Sequence, residues 1–180
     1  MRRKWYVFGV LALVVLAGVP LLRRSLSGAQ KPRASQHGSV SQQIADTTVT
    51  IEYDRPVAHG RALFGSLVPW GRVWTPGANY ATTITVSTKV KVNGEDLPAG
   101  TYSLWAEPQP DRWTIIFNSE HPVFHLYYPQ GKDVLRVTAT PRTGEDFETL
   151  TYYFPVVDAH HAELVIHWGT VEVPMQLDAP

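Results

Sequence analysis

From Thr47 onward, apolar residues return at every second position. Val49 and Ile51 alternate with Thr48, Thr50 and Glu52. Ile84, Val86, Val90 and Val92 fall on one face of what reads as a single long strand, with threonines and lysines opposite. Asn93-Gly94 signals a turn, and Pro98 and Gly100 frame the next break. Alternation resumes in three runs: Tyr102, Leu104, Ala106; Trp113, Ile115, Phe117; and Leu135, Val137, Ala139. Tyr152 and Phe154 follow, then Leu164, Ile166 and Trp168. Trp168-Gly169-Thr170 reads as a turn into Val171, Val173, Met175 and Leu177. A period of two is the signature of strands with one face on a core. The pattern predicts about eight short strands, with only Leu63 to Leu67 offering a single helical turn. Short alternating strands joined by Gly, Pro and Asn imply an all-β antiparallel β-sandwich, with a partly open barrel as the variant.

The N-terminus is built differently. Arg2, Arg3 and Lys4 precede an apolar run from Trp5 to Leu22, interrupted by Gly9, Gly18 and Pro20 and closed by Arg23 and Arg24. Those 18 residues suffice for one transmembrane helix across a hydrocarbon core of about 30 Å. They exceed the apolar core of a cleavable signal, roughly 7–15 residues. An uncleaved signal-anchor over 1–24 is the preferred reading. Cleavage after Ala29, giving a secreted protein, is the alternative. Basic residues on both sides blunt the charge rule for orientation, but a β domain on the C-terminal side favours export. Residues 25–43, rich in Ser, Gly, Gln and Lys, read as a flexible linker, and 44–180 as the β domain. The expected location is a cell membrane, single-pass, with the domain in the extracytoplasmic space.

Composition narrows the function. The 16 Lys and Arg balance 16 Asp and Glu, and no basic cluster lies outside the N-terminus, which argues against nucleic acid as a partner. The absence of cysteine removes disulfides, thiolate metal sites and cysteine nucleophiles.

The stretch from Tyr53 to Thr83 holds the densest polar and aromatic chemistry. Tyr53, Arg55, His59, Arg61, Arg72, Trp74 and Asn79 are its candidate ligand-binding residues. Guanidinium groups bind carboxylates, phosphates and sulfates bidentately, and Trp70 and Trp74 could stack on a sugar or a cation. The competing explanation is that a long connection needs Arg and Asn to satisfy its own carbonyls. The seven histidines show no metal-ligand spacing: Pro122 separates His121 from His125, and adjacent His160 and His161 diverge. A meeting of His59 with His125 or His167 is left open. No metal and no cofactor are expected. Ser66 and Ser103 lack a nucleophile elbow. Glu107, Asp111, Glu120 and Asp133 give no clear glycosidase pair. Tyr127-Tyr128 and Tyr152-Tyr153 each put one ring on either side of the chain.

Several segments carry a family resemblance. They are IEYDRP at 51–56, GRALFGSLVPWGRVWTPGAN at 60–79, ATTIT at 81–85, DLPAGTYSLWAEP at 96–108, WTIIFN at 113–118 and KDVLRVTATP at 132–141. Together they resemble the bacterial domain-of-unknown-function 2911 family over roughly Ser35 to Leu177. The resemblance implies a secreted or membrane-tethered β-rich protein and brings no activity with it. Two departures stand out: Tyr80 where family members commonly carry an acid, and Phe124-His125 where a Trp-Gly pair is frequent. The expected role is non-catalytic binding of an anionic or carbohydrate ligand. An envelope- or glycan-directed hydrolase, with His59 and Asp54 as the nearest acid–base pair, and a structural envelope protein are the alternatives.

Overall fold

The computed structural model describes residues 34–180. The expected membrane segment 1–24 and the first part of the expected linker lie outside the described residues. The rest is all-β, with no helix among the described residues. Its ten strands are β1 (Gln36–Ile44), β2 (Thr47–Arg55), β3 (Thr83–Val86), β4 (Val90–Val92), β5 (Glu95–Leu97), β6 (Gly100–Pro108), β7 (Trp113–Asn118), β8 (Asp133–Ala139), β9 (Arg142–Val157) and β10 (His161–Asp178). They form two sheets, a six-stranded one in the order β1-β2-β3-β6-β7-β8 and a four-stranded one in the order β5-β4-β10-β9. Every strand pairing is antiparallel.

The alternation in the sequence is what joins the sheets. Ile51, Ile84, Leu104 and Ile115 from the six-stranded sheet, and Val92, Leu164, Ile166 and Leu177 from the four-stranded sheet, are buried in one common core. β6 and β7 are apolar on both faces. On the outer side Trp105, Ile116 and Ala81 form a second, smaller core, packed against Val73, Val123 and Tyr128. The loops before β3 and before β8 therefore cover that side of the sheet, and Trp105 Nε1 finds its acceptor in Ser103 Oγ at 2.9 Å.

Four details differ from the sequence reading. Residues 36–43, expected as linker, are strand β1, paired with β2 from Gln36↔Arg55 to Ile44↔Thr47. An edge strand needs few apolar positions; only Val40 and Ile44 reach the core, so its polar sequence looks like a linker. The single strand expected over Ile84–Val92 breaks at Ser87–Lys89 and changes sheets. Its apolar face stays continuous because β3 and β4 point into the same core. The turn expected at Trp168-Gly169-Thr170 is a bulge within an unbroken β10: Gly169 has φ +59° and the register with β9 shifts on both sides of it. Leu63–Leu67 is a non-helical loop, closed by Val68 N–H to Leu63 O at 2.9 Å and Gly65 N–H to Val68 O at 2.8 Å. Asn93 and Gly94, both at positive φ, do make the β4–β5 turn, a two-residue geometry that requires left-handed residues.

Candidate functional site

β2 ends at Arg55, and the chain then runs without regular structure to Thr82. This connection is tied down residue by residue. The Ala58 amide donates to Glu148 O at 2.7 Å, and the Glu148 carboxylate accepts the amides of His59 at 2.7 Å and Gly60 at 3.2 Å. Arg61 folds back on the same segment: Nε donates to Ala58 O and Nη2 to Val57 O, each at 2.7 Å. Further on, Trp74 exchanges backbone bonds with Ala106 of β6 at 3.0 and 2.8 Å. Thr75 Oγ1 donates to Leu104 O and accepts the Thr82 amide. Pro76 O accepts both Thr82 Oγ1 and the Tyr152 hydroxyl, whose phenol burial pushes far up its titration scale. Asn79, in the left-handed region at φ +59°, donates from Nδ2 to Asp54 Oδ2 at 2.7 Å.

Four tryptophans surround one phenylalanine. The Phe64 ring lies 6.1 Å from Trp70, 6.3 Å from Trp74, 5.0 Å from Trp113 and 6.4 Å from Trp168, edge-on to all but Trp70. Trp74 and Trp168 stack at 6.0 Å with 27° between planes. Such pairs add about 0.5–1.5 kcal/mol each beyond burial. Much of the aromatic density is therefore packing. Trp74 Nε1 nevertheless remains buried with no acceptor among the described residues, an arrangement that costs on the order of 1–3 kcal/mol.

Two concavities flank this cluster and share Arg61 and Trp168. The first, of about 480 Å³, is walled by Pro56, Leu67, Val73, Trp74, Leu126 and Trp168, with His125 at its side. Among the described residues, Arg61 is the only Lys, Arg, Asp or Glu lining it. The second, of about 470 Å³, is more polar and adds Asp146 and Glu148 to Arg61. The first is an amphipathic cleft: one guanidinium fixed by two carbonyls, facing apolar and indole surface.

The candidate residues do not all meet there. Arg61 and Trp74 line the cleft. Tyr53 is buried in the main core, edge-on to Tyr152 at 4.6 Å. Arg55 packs its stem against Gly38 of β1, and its Nε is buried without an acceptor among the described residues. Arg72 is exposed beside the turn that Gly71 ties to Pro108. His59 is exposed at φ +53°, its amide held by Glu148. Asp54 faces Asn79 and His37 instead, so the pair considered for hydrolysis has separate partners. Phe64, Leu126 and Trp168 were not singled out for this region, and His125 only as a partner for His59; Phe64 lies in the same connection, His125 and Leu126 in the loop before β8, and Trp168 beside the β10 bulge. Their only signal in the sequence is Gly169 following Trp168, the mark of a bulge that re-aims a side chain.

A second polar cluster lies on the outer face of the four-stranded sheet. His167 is buried, stacked on Phe147 at 4.0 Å, and its Nε2 meets Glu145 O at 2.9 Å. Tyr153 donates to Glu172 at 3.1 Å; burial, then that bond, push its phenol up to about 12. Arg142 bridges Glu172 at 2.6 Å and Glu163 at 2.8 Å; its bonds to those carboxylates, Glu163 first, raise it further above the ordinary guanidinium range. A cavity of about 360 Å³ sits over these groups. Its polar groups satisfy one another, so the cluster reads as a strut across β9 and β10. His125 and His167 line different cavities and His59 neither. Among the described residues no three His, Asp or Glu side chains gather for a metal ion.

A domain of two antiparallel sheets on one core, with a loop-built cleft at the end of β2, is the class the geometry defines. Within that class, the family described as Protein of unknown function (DUF2911) matches residues 35–177, and the chain belongs to it. No curated protein and no solved structure matches it. Tyr80 and Phe124 meet in space, bridged through their backbones with their rings perpendicular at 6.3 Å.

Proposed function

We propose that the domain is a non-catalytic binding module, held at the outer surface of a bacterial membrane by its N-terminal segment, and that its ligand is an anion with an apolar body. One observation carries the reading. Arg61 is pre-set by Val57 O and Ala58 O at the wall of a cleft otherwise lined by Trp74, Trp168, Pro56 and Leu126. A guanidinium already held in place loses little freedom on binding a carboxylate or phosphate. The surrounding apolar surface would take the rest of the ligand, as in most small-molecule sites. Catalysis is not favoured, because among the described residues the cleft adds only His125 as a titratable neighbour and no carboxylate. A glycan remains the runner-up, since the stacked indoles present a face on which a sugar could rest.

Calorimetric titration with decanoate and with decyl maltoside, both below their micellar concentrations, separates the two. Decanoate should bind, and Arg61→Gln should weaken it about tenfold, the loss of one charge-assisted bond. Equal binding of both probes, unchanged by the substitution, would sink the anion reading and favour the glycan.

A further inference from the structure

We infer that the loop end of the domain is a docking surface for a lipid bilayer, with a rim of exposed aromatic and aliphatic side chains seated in the headgroup region. This rests on the membrane-anchor part of the proposal above. Of the nine exposed large apolar side chains among the described residues, six come from two loops: Leu67, Trp70, Tyr80, Phe124, Leu126 and Tyr127. Leu126 and Tyr127 are 69% and 70% exposed, an orientation that water alone does not reward.

The two loops make one surface. The Ala81 amide donates to Val123 O at 2.8 Å and the His125 amide to Asn79 O at 3.1 Å. Tyr80 pairs with Phe124, and the Phe124 and Tyr127 rings lie 6.0 Å apart. Leu67 and Leu126 stand at the same cleft. A contiguous exposed apolar patch of this kind marks a partner or a membrane.

Two observations select the membrane. The first is connectivity. In β1, Gln36 lies opposite Arg55 and His37 opposite Asp54, and Asp54 holds Asn79, next to Tyr80. The chain therefore enters the domain beside the rim. Residues 25–35 lie between the apolar run and β1 and can span at most about 35–40 Å. A chain anchored through Trp5–Leu22 keeps this end of the domain within reach of the bilayer. The second is chemistry. Trp, Tyr and Phe are the side chains that settle at membrane interfaces. Arg61 and Arg72 stand on the loop that carries Leu67, Trp70 and Tyr80, and neither makes a salt bridge among the described residues. Both can reach headgroup phosphates while the rings sit deeper.

The chain has no cysteine, so single nitroxide labels can be placed without background. The full chain carrying Leu126→Cys, Tyr127→Cys or, as control, Val156→Cys is labelled and reconstituted into vesicles of phosphatidylethanolamine and phosphatidylglycerol. Val156 is 58% exposed on β9 of the four-stranded sheet. Power saturation with oxygen and with a water-soluble nickel chelate then reads depth. Labels at 126 and 127 should show an oxygen-to-nickel accessibility ratio several-fold above that at 156. A floating chain whose labels at 126 and 127 match the water-exposed control overturns the rim and leaves the anchor standing. Labels inaccessible to both reagents indicate a protein contact and overturn it equally. A chain that does not float with the vesicles removes anchor and rim together.

Discussion

Glu148 is the strut under the candidate site, and removing its carboxylate tests that directly. The side chain accepts two amides, His59 at 2.7 Å and Gly60 at 3.2 Å, in the segment whose carbonyls at 57 and 58 hold Arg61. The Glu148 backbone oxygen makes two further bonds, from the Ala58 amide and Trp168 Nε1, which a side-chain substitution leaves in place. The lost bonds are charge-assisted but exposed, so together they are worth about 1–2 kcal/mol, at the low end of such bonds. For a domain of this size that is a fall in Tm of about 3–6 °C. Glu148→Gln keeps one acceptor oxygen and should lose less than half as much. Circular dichroism melts give the first number. Hydrogen exchange gives the second: the amides of 59 and 60 should exchange faster in Glu148→Ala, while that of Ala58 changes little. If the variant melts with the wild type and both amides keep their protection, the loop is held by something else and the argument for a pre-set Arg61 fails.

Gly65 sits at φ +81°, and an added Cβ would lie 2.5 Å from Trp70 Nε1. Gly65→Ala should therefore cost about 1–3 kcal/mol in backbone strain and displacement, with a change in tryptophan emission read in the same melt. Burial opposes ionisation of Asp133, yet bonds from Tyr128, Asn118 and Arg136 outweigh it and hold the carboxyl below its ordinary 3.8. The stability this group supplies is complete above the unfolded value and is lost as pH falls through the lower folded one. Denaturant titrations below pH 4 should accordingly show a shallower acid limb in Asp133→Asn. His161 runs the opposite way. Its bond to Asp178 raises it above 6.5, so its contribution is present at lower pH and fades as pH rises through the folded value. A proton-resonance titration should place His161 above 6.5, and Asp178→Asn should bring it back.

The alternation of buried positions was legible because a period of two is local. Ile84 through Val92 shows the limit of such reasoning. The apolar face continues unbroken across Ser87–Lys89, because both halves point into one core although they belong to different sheets. β1 was hidden for a related reason: an edge strand is specified by its neighbour's hydrogen bonds, and Gln, Ser and His satisfy them without an apolar pattern. The tie between Asp54 and Asn79 spans 25 residues, and that between Glu148 and His59 spans 89; neither leaves a trace in spacing. The density of Arg and Trp after β2 marked the stretch of chain that lines the cleft, but it could not separate Arg61, exposed yet held by two carbonyls at the cleft, from Arg72, exposed beside another turn, and Arg55 against β1. Phe64 escaped notice because a lone aromatic in a loop says nothing of the four indoles that converge on it.

The central claim is that the cleft beside Arg61, Trp74 and Trp168 takes an amphipathic anion. Nitrogen-15 correlation spectra of the tryptophan indoles during a decanoate titration test it most directly, since Trp74 and Trp168 line the cleft whereas Trp105 lies in the second core on the outer face of the six-stranded sheet. The Trp74 and Trp168 indole resonances should shift saturably while Trp105 stays still, and Arg61→Gln should move the midpoint to higher ligand. Indoles that stay fixed throughout, or that all drift together without saturating, would contradict it.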